Sequence, residues 1–154
     1  MIKNLKVFVD ADACPVKKEV IECADVHKLP VCFVASIKNM MNEPAAGDWV
    51  HVDADKEAAD LYIINASKRG DIVITADIGL AATALAKGVY ALSPRGKEYN
   101  DDNIQTLLDM RFYSAKLRRQ GKHTKGPKPF TSADRLRFKE SFAEILSNLE
   151  GFCD

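Results

Sequence analysis

A parallel α/β domain is the fold class this sequence predicts, on three observations. Short apolar runs alternate with helix-length segments through the first hundred residues, the pattern of strands joined by right-handed helical crossovers. Two of those runs, VFVDAD (Val7 to Asp12) and GDIVITAD (Gly70 to Asp77), finish on carboxylates where a helix should begin. Glycines stand where helices should stop, at Gly70 and Gly88. In such sheets ligands sit outside the carboxyl ends of the strands. Two strands therefore aim acids at the place where an α/β protein does its chemistry.

The elements follow in order. Residues 5–9 read as the first strand. Pro15 suits the first turn of a helix reaching about His27, with Val16, Val20 and Ala24 on one face. Val31 to Ala35 is a second strand, followed by a polar loop (Asn39 to Asp48) and a short third strand, Trp49 to Val52. A helix from about Lys56 to Arg69 stops at Gly70. Ile72 to Thr75 is the fourth strand, an Ala-rich helix spans Ile78 to Lys87, and Val89 to Leu92 is the fifth strand, closed by Ser93-Pro94-Arg95-Gly96. From residue 100 onward only helical patterns remain. One or two helices cover Asp101 to Gln120, a Gly/Lys/Pro-rich loop runs from Gly121 to Phe130, and a last helix begins at Thr131 with Asp134 placed for a capping box. Its Phe138, Phe142, Ile145 and Leu149 recur at helical spacing, as core residues do.

With 154 residues, 47% of them apolar, one domain with a real core is expected. Residues 1–99 would be its α/β core and 100–154 a helical extension carrying a basic loop at 121–130. No apolar run approaches the roughly 18 residues of a membrane span. The first apolar stretch meets Asp10 and Asp12 too early for a signal peptide, so a cytoplasmic protein is expected. The cysteines (Cys14, Cys23, Cys32, Cys153) show no C-x-x-C spacing, and with three histidines available zinc is not indicated. Cys14 stands at a helix start that could lower its pKa, but Asp10 and Asp12 oppose this.

The net charge of zero conceals a segregation. Residues 1–110 hold 12 Lys/Arg against 17 Asp/Glu, a net of −5. Residues 111–139 hold 10 Lys/Arg and one acid, Asp134, a net of +9, and the remainder returns −4. A basic block beside an acidic core points to a polyanionic partner. A solvated basic surface explains the same charges equally well.

Each acid taken singly has a structural explanation, since Asp is among the best helix caps: Asp77 for the Ala-rich helix, Asp55 for the helix before it, and Asp10 for a turn. Asp60 is harder to explain away. It falls in the first turn of its helix among Ala58, Ala59, Leu61, Tyr62 and Ile63, where a carboxylate needs a partner or a metal. Acids converging on one sheet edge repel each other, and a divalent cation relieves that. With oxygen ligands alone, Mg²⁺ or Mn²⁺ is the choice, able to activate water and to stabilise charge on a phosphate.

Asp60, Ile63, Ala66, Gly70, Thr75 and Asp77 spell D-x-x-I-x-x-A-x-x-x-G-x-x-x-x-T-x-D, which resembles the second half of the PIN-type nuclease signature. Its first acid closes strand one, as Asp10 does. VDADACP, DIVITADIGLA, LSPRG and KGPKPFT together resemble the YaiI/YqxD family of small bacterial proteins along nearly the whole chain. That resemblance implies a three-layer PIN-like fold with a mainly parallel five-stranded sheet in the order 3-2-1-4-5. By analogy it implies a metal-dependent nuclease acting on single-stranded nucleic acid, RNA foremost. The PIN acids carry over onto Asp10, Asp60 and Asp77 as catalytic and metal-holding residues, with Asp12 as a further metal ligand from the family's own motif. The acid many PIN domains place on an early helix has no clear counterpart, Glu19 and Glu22 being the positions available. Arg95 after the fifth strand would hold a phosphate, as a guanidinium can do bidentately, or would simply face solvent in its turn. Lys122, Lys125 and Lys128 lie in a Gly/Pro-interrupted run suited to a mobile strap along the nucleic-acid backbone.

Two other readings compete. A haloacid-dehalogenase-type phosphatase would use Asp10 and Asp12, with Ser36 on the phosphate, but that class needs an acid pair near strand four, where Asp77 is followed by Ile78, Gly79, Leu80, Ala81 and Ala82. A PIN-like domain that binds RNA without cutting it would need only the basic segment.

Overall fold

The computed structural model describes residues 5–38, 46–55, 57–123 and 128–151. Strand β1 (Val7–Asp10) leads through a 3-10 turn (Ala11–Ala13) into helix α1 (Lys17–Val26). β2 (Val31–Ser36), β3 (Asp48–Val52), α2 (Ala58–Ala66), β4 (Ile72–Ile74), α3 (Ile78–Ala86) and β5 (Tyr90–Leu92) follow in turn. Then come a short β6 (Glu98–Tyr99), α4 (Ile104–Arg119) and α5 (Ser132–Gly151).

One sheet in the order β3-β2-β1-β4-β5-β6 forms the middle layer. Its first five strands are parallel and stand in the 3-2-1-4-5 order of a PIN-like domain. Alternation along β1 assigns the two faces: Val7 and Val9 join one core cluster and Phe8 the other. The first cluster is closed by Val16, Val20 and Ala24 around α1 and by Phe138, Phe142 and Leu146 of α5. The second is closed by Ile63 of α2 and by Leu80 and Ala84 of α3. A smaller one packs Leu107 of α4 against Ala81 and Tyr99. These are the three layers.

The structure corrects several expectations. The sheet has a sixth strand: Gly96, at φ +91°, turns the chain so that Glu98 and Tyr99 pair antiparallel with Leu92 and Ala91. A Cβ at Gly96 would stand 2.7 Å from the Arg137 carbonyl, so only glycine lets this turn pack against α5. Helix α2 ends at Ala66 instead of Arg69, because Ser67 is already extended and the buried Asp71 accepts the amides of Lys6 (3.0 Å) and Lys68 (2.8 Å). The 101–120 region is one helix with no fully buried residue. On α5 the buried stripe is Phe138, Phe142, Ile145 and Leu146, with Leu149 only partly covered. Through that stripe the helix joins the core of the domain, as its apolar spacing predicts. The capping box forms: the Thr131 amide donates to Asp134 Oδ2 (3.0 Å) and the Asp134 amide to Thr131 Oγ1 (3.2 Å). No described helix is long and apolar enough to cross a membrane.

Candidate active site: an acidic cleft at the carboxyl edge

Parallel register brings the ends of β1 and β4 side by side, Val9 opposite Ile74. Asp10 and the Thr75–Asp77 turn therefore emerge together at the carboxyl edge. A cavity of about 500 Å³ opens there, lined by Asp10, Asp12, Asp53, Asp55, Asp60 and Asp77, with Ser36 and Arg111. All four predicted acids line it.

Thr75 is the joint of this cleft. Its buried hydroxyl donates to Asp10 Oδ2 (2.9 Å) and accepts the Asp77 amide (2.9 Å), so one side chain fixes both acids. Behind it, the Tyr99 hydroxyl donates to the Thr75 carbonyl (3.2 Å), and burial pushes the Tyr99 pKa up to about 12. Asp77 does cap α3, its Oδ1 accepting the amides of Gly79 (2.8 Å) and Leu80 (3.3 Å). It is a helix cap and a cleft acid at once. Asp12 accepts the Ser36 amide with both oxygens (3.1 and 3.0 Å), tying the 3-10 turn to the end of β2.

The electrostatics are those of crowded carboxylates. Burial raises the Asp10 pKa, and Asp77 and Asp12 raise it further against the opposing Thr75 hydrogen bond. Asp60 is pushed up to about 6, first by burial, then by Asp77 and Asp10, with a side-chain hydrogen bond to Asp77 favouring its protonated form. Its surroundings are half-open, unlike the buried flanks expected, and the neighbouring Leu61 is exposed. Arg111 of α4 opposes these repulsions. It is the one basic residue among those described that line the cavity, and its guanidinium stands 3.3 Å from Asp77 Oδ1.

Three contributors were not anticipated. Asp53 and Asp55 close β3 as Asp10 and Asp12 close β1, and VDAD at residues 52–55 repeats the VDAD of residues 9–12. That repeat is the signal that would have found them. Arg111 left no such mark, lying 34 positions from Asp77 on a different element.

The donor set of carboxylate oxygens suits a hard divalent cation. No three of the described His, Cys, Asp and Glu side chains already stand around one point as a closed metal cage. Mg²⁺ is commonly held by one or two carboxylates with several of its waters kept, which such a cleft can supply. Asp10, Asp60 and Asp77 are the candidates among its lining residues.

Of the expected phosphate contacts, Arg95, Lys122 and Lys128 are not among the residues lining the cleft. Arg95 pairs with Asp134 (2.9 Å) and donates to the carbonyls of Pro129 (3.4 Å) and Lys128, so it fastens the basic segment to the start of α5. Arg137 holds the other oxygen of Asp134 (3.0 Å). The Thr131 hydrogen bonds, helped by both arginines, keep the Asp134 carboxyl below the usual range. Lys122 and Lys128 are exposed, and Lys125 falls outside the described residues. Cys14 is buried, which raises its thiol to about 11, so the helix start does not activate it. Cys153 also falls outside the described residues.

Fold and cleft define a three-layer α/β domain with carboxylates gathered at the sheet's carboxyl edge. The chain belongs to the YaiI/YqxD family, described as uncharacterized, whose match spans residues 8–148. It is 47% identical to a UPF0178 protein of Bacillus cytotoxicus over 95% of both chains. A UPF0178 protein of Listeria welshimeri is 44% identical over 93% of this chain and 96% of its own length. Among solved structures, Rae1 (YacP) of Bacillus subtilis aligns with a TM-score of 0.44 at 13% identity, covering 97% of this chain and 99% of that one.

Proposed function

We propose that the cleft is a divalent-metal-dependent phosphodiesterase site acting on single-stranded nucleic acid, RNA foremost. The observation that carries this reading is the gathering of Asp10, Asp60 and Asp77 around one cavity at the carboxyl edge of a parallel sheet. Mg²⁺ or Mn²⁺, held by those three acids with Asp12 at the rim, would supply an activated water and neutralise charge on the phosphate. Thr75 orients Asp10 and Asp77 for that task. Arg111 faces the phosphate side of the cleft, the position first expected of Arg95, while Lys122, Lys125 and Lys128 hold the strand outside.

The test is cleavage of single-stranded RNA and DNA with Mn²⁺ or Mg²⁺, wild type against Asp10→Asn. Loss of on the order of 100-fold or more in the variant is expected, since the metal's charge stabilisation goes with its ligand. Equal cleavage by both proteins would refute the assignment. Salt-sensitive RNA binding without cleavage by wild type would establish the non-catalytic reading instead.

A further inference from the structure

Beside the acidic cleft lies a second, larger cavity of about 880 Å³, and Asp12, Ala13, Ala76 and Ile78 line both. The two spaces share a wall, so one ligand can occupy both. Their chemistry differs. Six carboxylates line the cleft, whereas the second cavity is walled by Pro15, Ile78, Pro94, Tyr99, Leu107 and Phe130. Its basic lining residues are Arg95, Lys97 and Arg137.

We propose that this second cavity is a base-binding subsite, receiving the unstacked nucleobase of the nucleotide adjoining the phosphate held in the cleft. The proposal rests on the cleft being a phosphodiester site, as argued above. A cavity of a few hundred cubic ångströms with apolar walls and few polar groups suits a flat heterocycle. Arg95 and Arg137 are engaged by Asp134, and Lys97 at the edge complements the phosphates attached to that base. One polar group is set to read it: buried Ser93 accepts the amides of Arg95 (3.3 Å) and Lys97 (3.1 Å). With both acceptor positions taken, its hydroxyl proton is what it offers to the ligand. Phe130 is held for the purpose, its ring centroid 5.7 Å from the Arg95 guanidinium and 5.3 Å from that of Arg135. The Arg95–Asp134 pair that fastens the basic segment therefore also positions this pocket wall.

Calorimetric titration with AMP and with ribose 5-phosphate, in the presence of Mg²⁺, tests the base directly. Wild type should bind AMP at least about tenfold more tightly than ribose 5-phosphate. Phe130→Ala, and Leu107→Trp as a variant that fills the space, should each weaken AMP about tenfold, the scale of a lost base contact, and leave ribose 5-phosphate unchanged. Equal affinity of wild type for the two ligands, or unchanged AMP affinity in both folded variants, would overturn the proposal. Mn²⁺-dependent cleavage by the same proteins separates the two readings. If cleavage fails while the AMP preference and its loss in the variants persist, the subsite stands and the nuclease reading falls. If cleavage persists without that preference, the reverse holds.

Discussion

The Thr75 hydroxyl donates to one cleft acid and receives the amide of another, so Asp10 and Asp77 are placed by a group that itself cannot ionise. Asp60 has no comparable support, and it bears the cost of the crowding. Its pKa of about 6 in the fold exceeds the usual 3.8 because burial, Asp77 and Asp10 all disfavour its charge, with only Arg111 opposing. The sign follows. As pH rises from about 4 to 6 the unfolded chain releases this proton before the folded one, so stability falls across that window and stays lower above it. Asp60→Asn should therefore stabilise the metal-free protein at pH 7 by on the order of 1 kcal/mol, solvent screening at this half-open site reducing the effect. The gain should vanish near pH 4. Urea denaturation in EDTA at the two pH values measures it, and a destabilised variant at pH 7 would show that Asp60 is a structural acid. Short carboxylates after apolar strands were legible from sequence because each sits within its own motif. Arg111 was not, because only packing of α4 on α3 brings it to Asp77. A Cβ on Gly79 would meet that guanidinium at 2.8 Å, so the glycine keeps its path open.

At the scale of elements, the central strands β1, β2 and β4 could be read because burial on both faces writes continuous apolar runs. The sixth strand could not: two residues carry no periodicity, and the turn at Gly96 that creates it is fixed by contact with α5. The last helix was legible from its stripe of apolar residues, but the face it covers was not. Helix α5 returns across the sheet to close the face that α1 leaves open. Phe142 is fully buried there and packs its ring 5.6 Å from Phe138. Phe142→Ala should cost about 3–5 kcal/mol, as truncation of a buried Phe does, and lower the single transition of the whole chain. Chemical denaturation followed by far-ultraviolet circular dichroism would show it. A change confined to a separate minor transition would show that α5 unfolds apart from the sheet.

Across the whole molecule, charge segregation becomes spatial. Six carboxylates face one cavity, while Lys116, Arg118 and Arg119 occupy the last turn of α4, just ahead of the basic segment. A polyanion would be repelled by the cleft alone and attracted by that end, so the basic residues must supply the encounter and a cation in the cleft must reverse its sign. Arg95 fastens the backbone at Lys128 and Pro129, which fixes where the segment leaves the core. Phosphate contacts made from it would release counterions, giving a slope of about −0.7 in log affinity against log salt for each one on a single strand. Lys122, Lys125 and Lys128 changed together to Ala should then weaken RNA binding at low salt and reduce that slope by about 2. Mn²⁺ binding at the acids should be untouched, since neither Lys122 nor Lys128 lines the cleft. Fluorescence anisotropy with a labelled single strand across a salt series measures both quantities. An unchanged slope with undiminished affinity would mean that the lysines are a solvated surface, and that α4 or the cleft itself carries the strand.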